Sequence, residues 1–240
     1  AALFTANRDA GVRAGRLLES AGTVTVQLAQ DRDTRLRTAG AVLAADPFFR
    51  GAIVGNDKAA MATILAAQRQ RAEVDLAMLL DPHGRVLAGS DSIGRKRVSF
   101  PGLVSRTDGG GRSRAVLRAE NRAWEVVAVP GGEAEPIAWL AMGILIDTAF
   151  ARRLGNLTGL DATLLARVGQ TQLVLGSSLD HLDATTLLGD LASTGARDGN
   201  PIEITTGGVE HVALIVPLIP GYADVEVLLS QPLDAVMAPF

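Results

Sequence analysis

The chain has 240 residues, of which 48% are hydrophobic and 20% charged, so it has enough apolar material for one large or two small folded domains. Its formal net charge of -3 excludes a nucleic-acid-binding protein that relies on a broad basic surface, and no nucleic-acid partner is predicted. The absence of cysteine excludes a thiolate zinc site, a disulfide framework and cysteine catalysis.

The first segment, residues 1–72, is predicted to be helical. Apolar residues spaced three and four apart predict one helix of about 40 residues and about 60 Å, although Gly22 and two earlier glycines are expected to weaken it. Asp46 followed by Pro47 is typical of a helix N-cap and first helical residue, so a short second helix is predicted there. The apolar residues of the long helix are Leu17, Ala21, Val24, Leu28, Leu36, Ala39 and Leu43.

The second segment, residues 73–156, is predicted to hold five strands and then a helix. The four residues Asp81 to Gly84 form a tight turn between the first two strands. Residues 90–111, with a run of three glycines at 109–111, are predicted to be irregular, and residues 147–154 helical. The predicted strands are 76–80, 85–89, 114–119, 124–129 and 137–146.

The third segment, residues 157–240, follows the same order of elements. A hairpin, a helix at about 182–191 and three strands are predicted, and a final helix begins at Pro232. The predicted helix is expected to bury Leu182, Leu187, Leu188 and Leu191 on one side. The predicted strands are 161–166, 172–175, 202–205, 209–216 and 224–229.

Equivalent positions of the two strand-rich segments recur at a nearly constant spacing. Asp75 and Asp161 lie 86 positions apart, and the Gly-Ser pairs at 89–90 and 176–177 lie 87 apart. The Asp residues at the starts of two later helices, Asp147 and Asp234, are also 87 apart. The simplest interpretation is a duplicated five-stranded antiparallel module, with a crossing segment after its second strand, as in a PAS-like fold.

This order of elements resembles the double Cache sensor domains of bacterial membrane receptors over the whole chain. The resemblance is carried by four stretches: the helix at Asp46-Pro47, the hairpin of residues 81–87, the strand of residues 137–143 leading to Ile146-Asp147, and residues 228–234. It implies an α/β (α+β) fold with a long N-terminal helix and two tandem PAS-like antiparallel-sheet modules. The module of residues 73–156 would be membrane-distal, and that of residues 157–240 membrane-proximal.

The resemblance also implies a function. Such domains are periplasmic, lie between two transmembrane helices, act as homodimers and control a cytoplasmic output. Within this family, the chain looks most like the double Cache domains that precede diguanylate cyclase or phosphodiesterase modules. This similarity implies cyclic-di-GMP signalling. A chemoreceptor or histidine-kinase output is the alternative. The longest apolar stretch here, Ile137 to Ile146, is too short to span a membrane, which takes roughly 20 residues.

The sequence favours no enzyme, metal site or cofactor within this chain. Its three histidines, His83, His181 and His211, include no pair with metal-ligand spacing, and no phosphate loop or nucleophile elbow is present. His83 is interpreted as a surface turn residue. Asp180 and Asp183 are interpreted as helix-capping residues.

Six residues of the distal module are candidates for binding a small ligand. Guanidinium groups beside an aromatic ring suit a small carboxylate. The family members that bind amino acids use a Tyr, Arg, Trp and Asp pattern, and the single tyrosine here, Tyr222, lies in the other module, so an amino-acid ligand is not supported. The candidates are Arg95, Arg97, Arg114, Arg122, Trp124 and Trp139.

Two alternatives stay open at this point. The basic residues at 95–97 can instead form a solvated loop, and the two tryptophans can belong to the core. In that case the chain is a structural, dimerising stalk that binds no small ligand. A pocket with a bound molecule favours the sensor, and a filled core in both modules favours the stalk.

Overall fold

The computed structural model describes residues 2–90, 98–105, 113–119, 122–131, 137–169, 171–194, 199–219 and 222–237. The chain divides into two compact units. One unit, here called the first module, is Gln30–Leu145; the other, the second module, combines Ala1–Ala29 with Ile146–Phe240. The expected boundaries at 72/73 and 156/157 do not coincide with this division. Residues 30–72 pack with the first sheet, and the helix after residue 147 packs with the second.

Helix α1 (Ala2–Ala44) is continuous, as its apolar spacing predicts. Four of the seven predicted positions, Ala21, Leu36, Ala39 and Leu43, are buried. Near the start of the stripe the prediction is wrong, since Leu17 is 51% exposed whereas its neighbour Leu18 is 1% exposed. Gly22 does not interrupt the helix. Its lack of a side chain allows close packing at this position. A Cβ there would lie 3.3 Å from Cγ1 of Val216, so glycine allows a close approach within the second module. The buried positions of α1 are Ala14, Leu18, Ala21, Thr25, Ala29, Arg32, Leu36, Ala39 and Leu43.

The first module contains an antiparallel sheet in the strand order β2-β1-β5-β4-β3. Asp46 caps α2, and Asp57 caps α3, each by accepting a hydrogen bond from a backbone N–H three residues later. The elements after α1 are α2 (Pro47–Val54), α3 (Lys58–Arg71), β1 (Leu76–Leu80), β2 (Val86–Gly89), α4 (Pro101–Ser105), β3 (Ser113–Ala119), β4 (Arg122–Gly131) and β5 (Ala138–Leu145).

The two faces of this first sheet have different coverings. One face packs on α1, α2 and α3, where Leu79, Val127 and Leu140 meet Phe49 and Leu65. The opposite face carries Leu76, Met78, Leu80, Trp124, Val126 and Trp139, and Leu103 of α4 packs against it. Because side chains alternate along a strand, neighbouring residues of β4 serve opposite faces. The helix α4 lies within the segment that was expected to be irregular.

The second module repeats the strand order as β7-β6-β10-β9-β8, again antiparallel. Helix α6 packs Leu187 and Leu191 on one face of this sheet, but Leu182, expected on the same side, is 74% exposed. The elements are α5 (Thr148–Thr158), β6 (Asp161–Val168), β7 (Thr171–Ser177), α6 (His181–Thr194), β8 (Ile202–Thr206), β9 (Val209–Ile219), β10 (Tyr222–Pro232) and α7 (Leu233–Met237).

Within the described residues the prediction of two mixed modules, each built on its own five-stranded antiparallel sheet, is confirmed. The predicted strands exist in the predicted order, and the later ones are longer than expected. β9 and β10 each span 11 residues, and their pairing runs from Tyr222–Ile219 at one end to Pro232–His211 at the other. This length is stabilised by mutual pairing, which a local sequence pattern does not reveal.

Candidate functional site

Trp124 and Trp139 lie on the same face of the first sheet, the one on which α4 packs. Trp124 is on β4 and is 1% exposed, and Trp139 is on β5 and is 6% exposed. Trp139 pairs with Leu80 on one side and with Pro130 on the other, so it lies on the central strand, close to where that strand begins. We call this surface the tryptophan face; it consists of the two tryptophans with Leu76, Met78, Leu80, Leu103, Leu117 and Val126.

Arg122 adds a cation at the edge of the tryptophan face. Its guanidinium carbon lies 5.3 Å from the centroid of the Trp124 ring, which is a cation–π distance. Arg122 and Trp124 are two residues apart on β4 and therefore point to the same side of the sheet. Arg122 is exposed, so its positive charge is accessible to solvent beside a buried ring. The structure thus brings together two of the candidates, Arg122 and Trp124. Trp139 shares their face, but it pairs with Pro130, six residues along β4 from Trp124, and so lies about 20 Å away toward the other end of the strands.

Arg114 does not join them, because it lies on the opposite face of the sheet. Its Nη2 is 2.5 Å and its Nε 3.1 Å from Oε1 of Glu125, and Nε is 3.5 Å from Oδ1 of Asp33 on α1. Side chains alternate between the two faces along β3. Ala115 and Leu117 therefore lie on the tryptophan face, whereas Arg114 is directed to the helices. Arg114 was predicted to contact a ligand beside Trp124; its pairing with Glu125 assigns it a structural role. Arg95 and Arg97 lie outside the described residues.

Glu125, which the sequence analysis did not single out, is the centre of a buried ion-pair network. It is fully buried, and Oε2 accepts a hydrogen bond from Nε of Arg32 at 3.1 Å. Arg32 also donates from Nη2 to the carbonyl oxygens of Ile144 at 3.3 Å and Leu145 at 2.9 Å. The sequence does contain a signal for such a network, namely a glutamate between Trp124 and Val126 in an apolar strand. Because an unpaired carboxylate is rarely buried, a glutamate at this position indicates a buried basic partner.

The other polar candidates have local structural roles. The backbone N–H of His83 donates to Oδ1 of Asp81 at 2.8 Å within the hairpin turn, and its side chain is exposed. Oδ1 of Asp180 accepts a hydrogen bond from the backbone N–H of Asp183 at 2.9 Å, which caps α6. In the described part of the chain no three His, Asp or Glu residues cluster in a way that could hold a metal ion. The glycines at 109–111 lie outside the described residues.

Residues 14–219 match the family model described as the double sensory domain of two-component sensor kinase. The chain belongs to this double Cache family. It is therefore a sensory domain and not an enzyme, and the family resemblance inferred from the sequence is confirmed. No helix among the described residues combines the length and apolarity needed to cross a bilayer.

Solved structures share the fold of this double Cache domain over nearly its whole length. The ligand-binding domain of the Campylobacter jejuni chemoreceptor Tlp3, in complex with 4-methylisoleucine, has a TM-score of 0.64 and 11% identity, covering 98% of this chain and 95% of that one. The periplasmic domain of Vibrio cholerae LuxQ has a TM-score of 0.58 and 14% identity, covering 90% and 99%.

A domain of a putative sensory box/GGDEF family protein from Vibrio parahaemolyticus is also similar, with a TM-score of 0.62 and 9% identity, covering 97% of this chain and 100% of that one. At these identities the similarity establishes the fold alone. The ligand of this double Cache domain has to be inferred from its own side chains. A search of curated protein sequences found no match.

Proposed function

We propose that this double Cache domain is the periplasmic input domain of a transmembrane receptor and binds a small ligand at the tryptophan face of the first module. The observation that carries the proposal is the position of Arg122 over the ring of Trp124, on the sheet face away from α1. An apolar wall with a cation at its edge suits a small molecule that has an apolar body and a carboxylate.

The charge distribution around the sheet supports this choice of face. On the helix side, Arg32 and Arg114 form ion pairs with Glu125 and Asp33 in a buried network. On the tryptophan side, the guanidinium of Arg122 is at the surface and lies over an aromatic ring. The C. jejuni chemoreceptor domain of the same fold was solved with 4-methylisoleucine, a small molecule with a carboxylate and an apolar chain.

A second candidate function is a structural stalk without a small ligand, and one observation favours it. Both tryptophans are almost completely buried and pack among aliphatic residues of the sheet and α4. A face that is already filled does not admit a ligand unless its covering moves.

The two tryptophans allow a direct test, since the chain contains no others. The chain is titrated with a library of small carboxylates while tryptophan emission is recorded, and hits are repeated on Trp124→Phe, Trp139→Phe and Arg122→Gln. We expect a saturable change in emission in the parent chain. Arg122→Gln should raise the Kd of this change about tenfold, because one charge-assisted contact is lost. A hit whose Kd is the same in Arg122→Gln as in the parent chain would refute this site.

We further propose that the output is the synthesis or breakdown of cyclic-di-GMP, with a chemoreceptor or histidine-kinase output as the alternative. The similarity to a domain of a GGDEF family protein supports the first, and the family description and the chemoreceptor structures support the others. The proposal includes a homodimer flanked by membrane helices. Measuring cyclic-di-GMP in cells that carry the full receptor, with and without a confirmed ligand, tests it. An unchanged level with altered kinase activity would favour the histidine kinase.

A further inference from the structure

A polar cleft of about 510 Å³ opens in the second module, apart from the tryptophan face. It lies where the last turn of α5, the start of β6, the end of β10 and α7 come together. This volume is within the range of about 300–1,000 Å³ that is typical of small-molecule sites. The lining residues used below are Arg152, Asn156, Gly159, Asp161, Ser178 and Gln231.

Two oxygen acceptors of this lining are suited to a cation. Asp161 is half-buried at the start of β6, and its Oδ1 accepts a hydrogen bond from Oγ of Ser178 at 3.3 Å. Ser178 Oγ itself accepts from the backbone N–H of Ala162 at 2.9 Å, so this hydroxyl is fully used as a bridge. Oε1 of Gln231 is buried and has no hydrogen-bond partner among the described residues. A buried acceptor without a donor is costly, and a ligand N–H would satisfy it.

The end of α5 adds a third source of negative potential. Gly155 and Asn156 belong to its last turn, and Gly159 ends it in the left-handed conformation with a φ of 72°. The carbonyl groups of a last helical turn carry the negative end of the helix dipole, which favours cations nearby. Burial raises the pKa of the Asp161 carboxyl, so this group lacks a compensating charge of sufficient strength in the structure as it stands.

We infer that this cleft is a second ligand site, which binds a small ammonium compound through Asp161, the Gln231 amide oxygen and the carboxyl-terminal end of α5. Arg152, which is exposed on α5, lies at the edge of the cleft, so a carboxylate or hydroxyl on the same ligand would be directed toward it. This site is independent of the proposed carboxylate site in the first module. Its occupation would join α5, β6, β10 and α7 through one molecule.

Ethanolamine hydrochloride is the probe, and backbone amide shifts of the ¹⁵N-labelled 240-residue chain are the readout. We expect saturable shifts at Gly155, Gly159 and Ser178 with a Kd on the order of millimolar, as befits a ligand of a few atoms. Tryptophan emission should stay unchanged, because both tryptophans belong to the first module. This readout separates the cleft from the site at the tryptophan face.

Variants and control compounds test which groups of the cleft bind ethanolamine. Asp161→Asn and Gln231→Met should each weaken ethanolamine binding, the former about tenfold or more. The matched control is Asp183→Asn, which removes an acid near Asp161 that does not line the cleft, and it should change the Kd less than twofold. Equal shifts with sodium chloride or ethylene glycol would overturn the inference, as would full affinity in Asp161→Asn.

Discussion

Arg32 and Glu125 are separated by 93 residues in the sequence and form a buried ion pair, with Nε and Oε2 3.1 Å apart. The pair connects the long helix to the fourth strand within the first module. Arg114 approaches the same carboxylate from β3, so two guanidinium groups share one glutamate. Such an arrangement is sensitive to the loss of its centre, because removing one partner leaves the other charges buried and uncompensated.

Glu125→Gln should therefore destabilise the first module strongly, by about 3–5 kcal/mol. The free energy of unfolding is measured by urea denaturation followed by tryptophan emission, which reports on this module. Glu73→Gln, at an exposed position between α3 and β1 of the same module, is the control and should change stability by no more than about 0.5 kcal/mol. Similar losses in the two variants would contradict the structural importance of the network.

Trp124→Ala should lower the stability of the first module by about 3–5 kcal/mol, since the ring is almost fully buried. Phe48→Ala in the same module is the matched aromatic control; Phe48 is 84% exposed, so little change is expected. Circular dichroism in urea is the measurement, because the first variant loses a fluorophore. A small loss of stability together with a lost ligand response would instead indicate that the ring lines an open pocket.

Gly176→Ala should be disruptive because of backbone crowding. A Cβ at residue 176 would lie 2.3 Å from the backbone carbon of Asp147 and from the nitrogen of Thr148, where no flexible side chain can give way. We expect a loss of about 3 kcal/mol, at the upper end of overpacking effects. Gly189→Ala in α6 is the control: a Cβ there meets nothing within 4 Å, so the helix should gain up to about 1 kcal/mol. Melting temperatures that moved in the same direction would be inconsistent with this account.

Asp161 predicts a pH dependence. Burial raises its pKa above the ordinary value of 3.8 despite the hydrogen bond from Ser178 and the nearby charge of His211, while Asp183 adds to the increase. The folded state therefore binds the proton more tightly than the unfolded state. The contribution of this proton binding to the free energy of unfolding is therefore fully present below pH 3.8. It is lost as the pH rises through the raised pKa of the folded state. Asp161→Asn should then have the higher melting temperature at neutral pH, with a difference that shrinks in acid. A variant less stable than the parent at neutral pH would refute the argument.

The sequence was most informative where local patterns decide the structure. The cap at Asp46, the turn at Asp81 and the succession of strands along the chain follow from short-range chemistry and were predictable. The early part of the buried stripe of α1 was not, because Leu17 and Leu18 are equally apolar and only the surfaces that pack on the helix determine which of them is buried.

The candidate site was predictable in part for the same reason. Arg122 and Trp124 share a face by the alternation of one strand, which the sequence shows directly. That Trp139 lies on the same face, toward the other end of the strands, depends on the pairing of β4 with β5. That Arg114 points to the opposite face depends on the pairing of β3 with β4. The partners of Glu125 could not be foreseen, since Arg32 lies on a helix whose rotation about its own axis is set by packing.

The division of the chain has a consequence for its biosynthesis. The first module is one uninterrupted segment, whereas the second needs residues from both ends of the chain. As the polypeptide leaves the ribosome, Gln30–Leu145 can collapse as soon as it has emerged. The early half of α1 must wait until β9, which supplies Val216 opposite Gly22, has been made. Until then the apolar positions around Leu18 stay uncovered, so nascent chains should depend on a chaperone longer for this helix than for the finished first module.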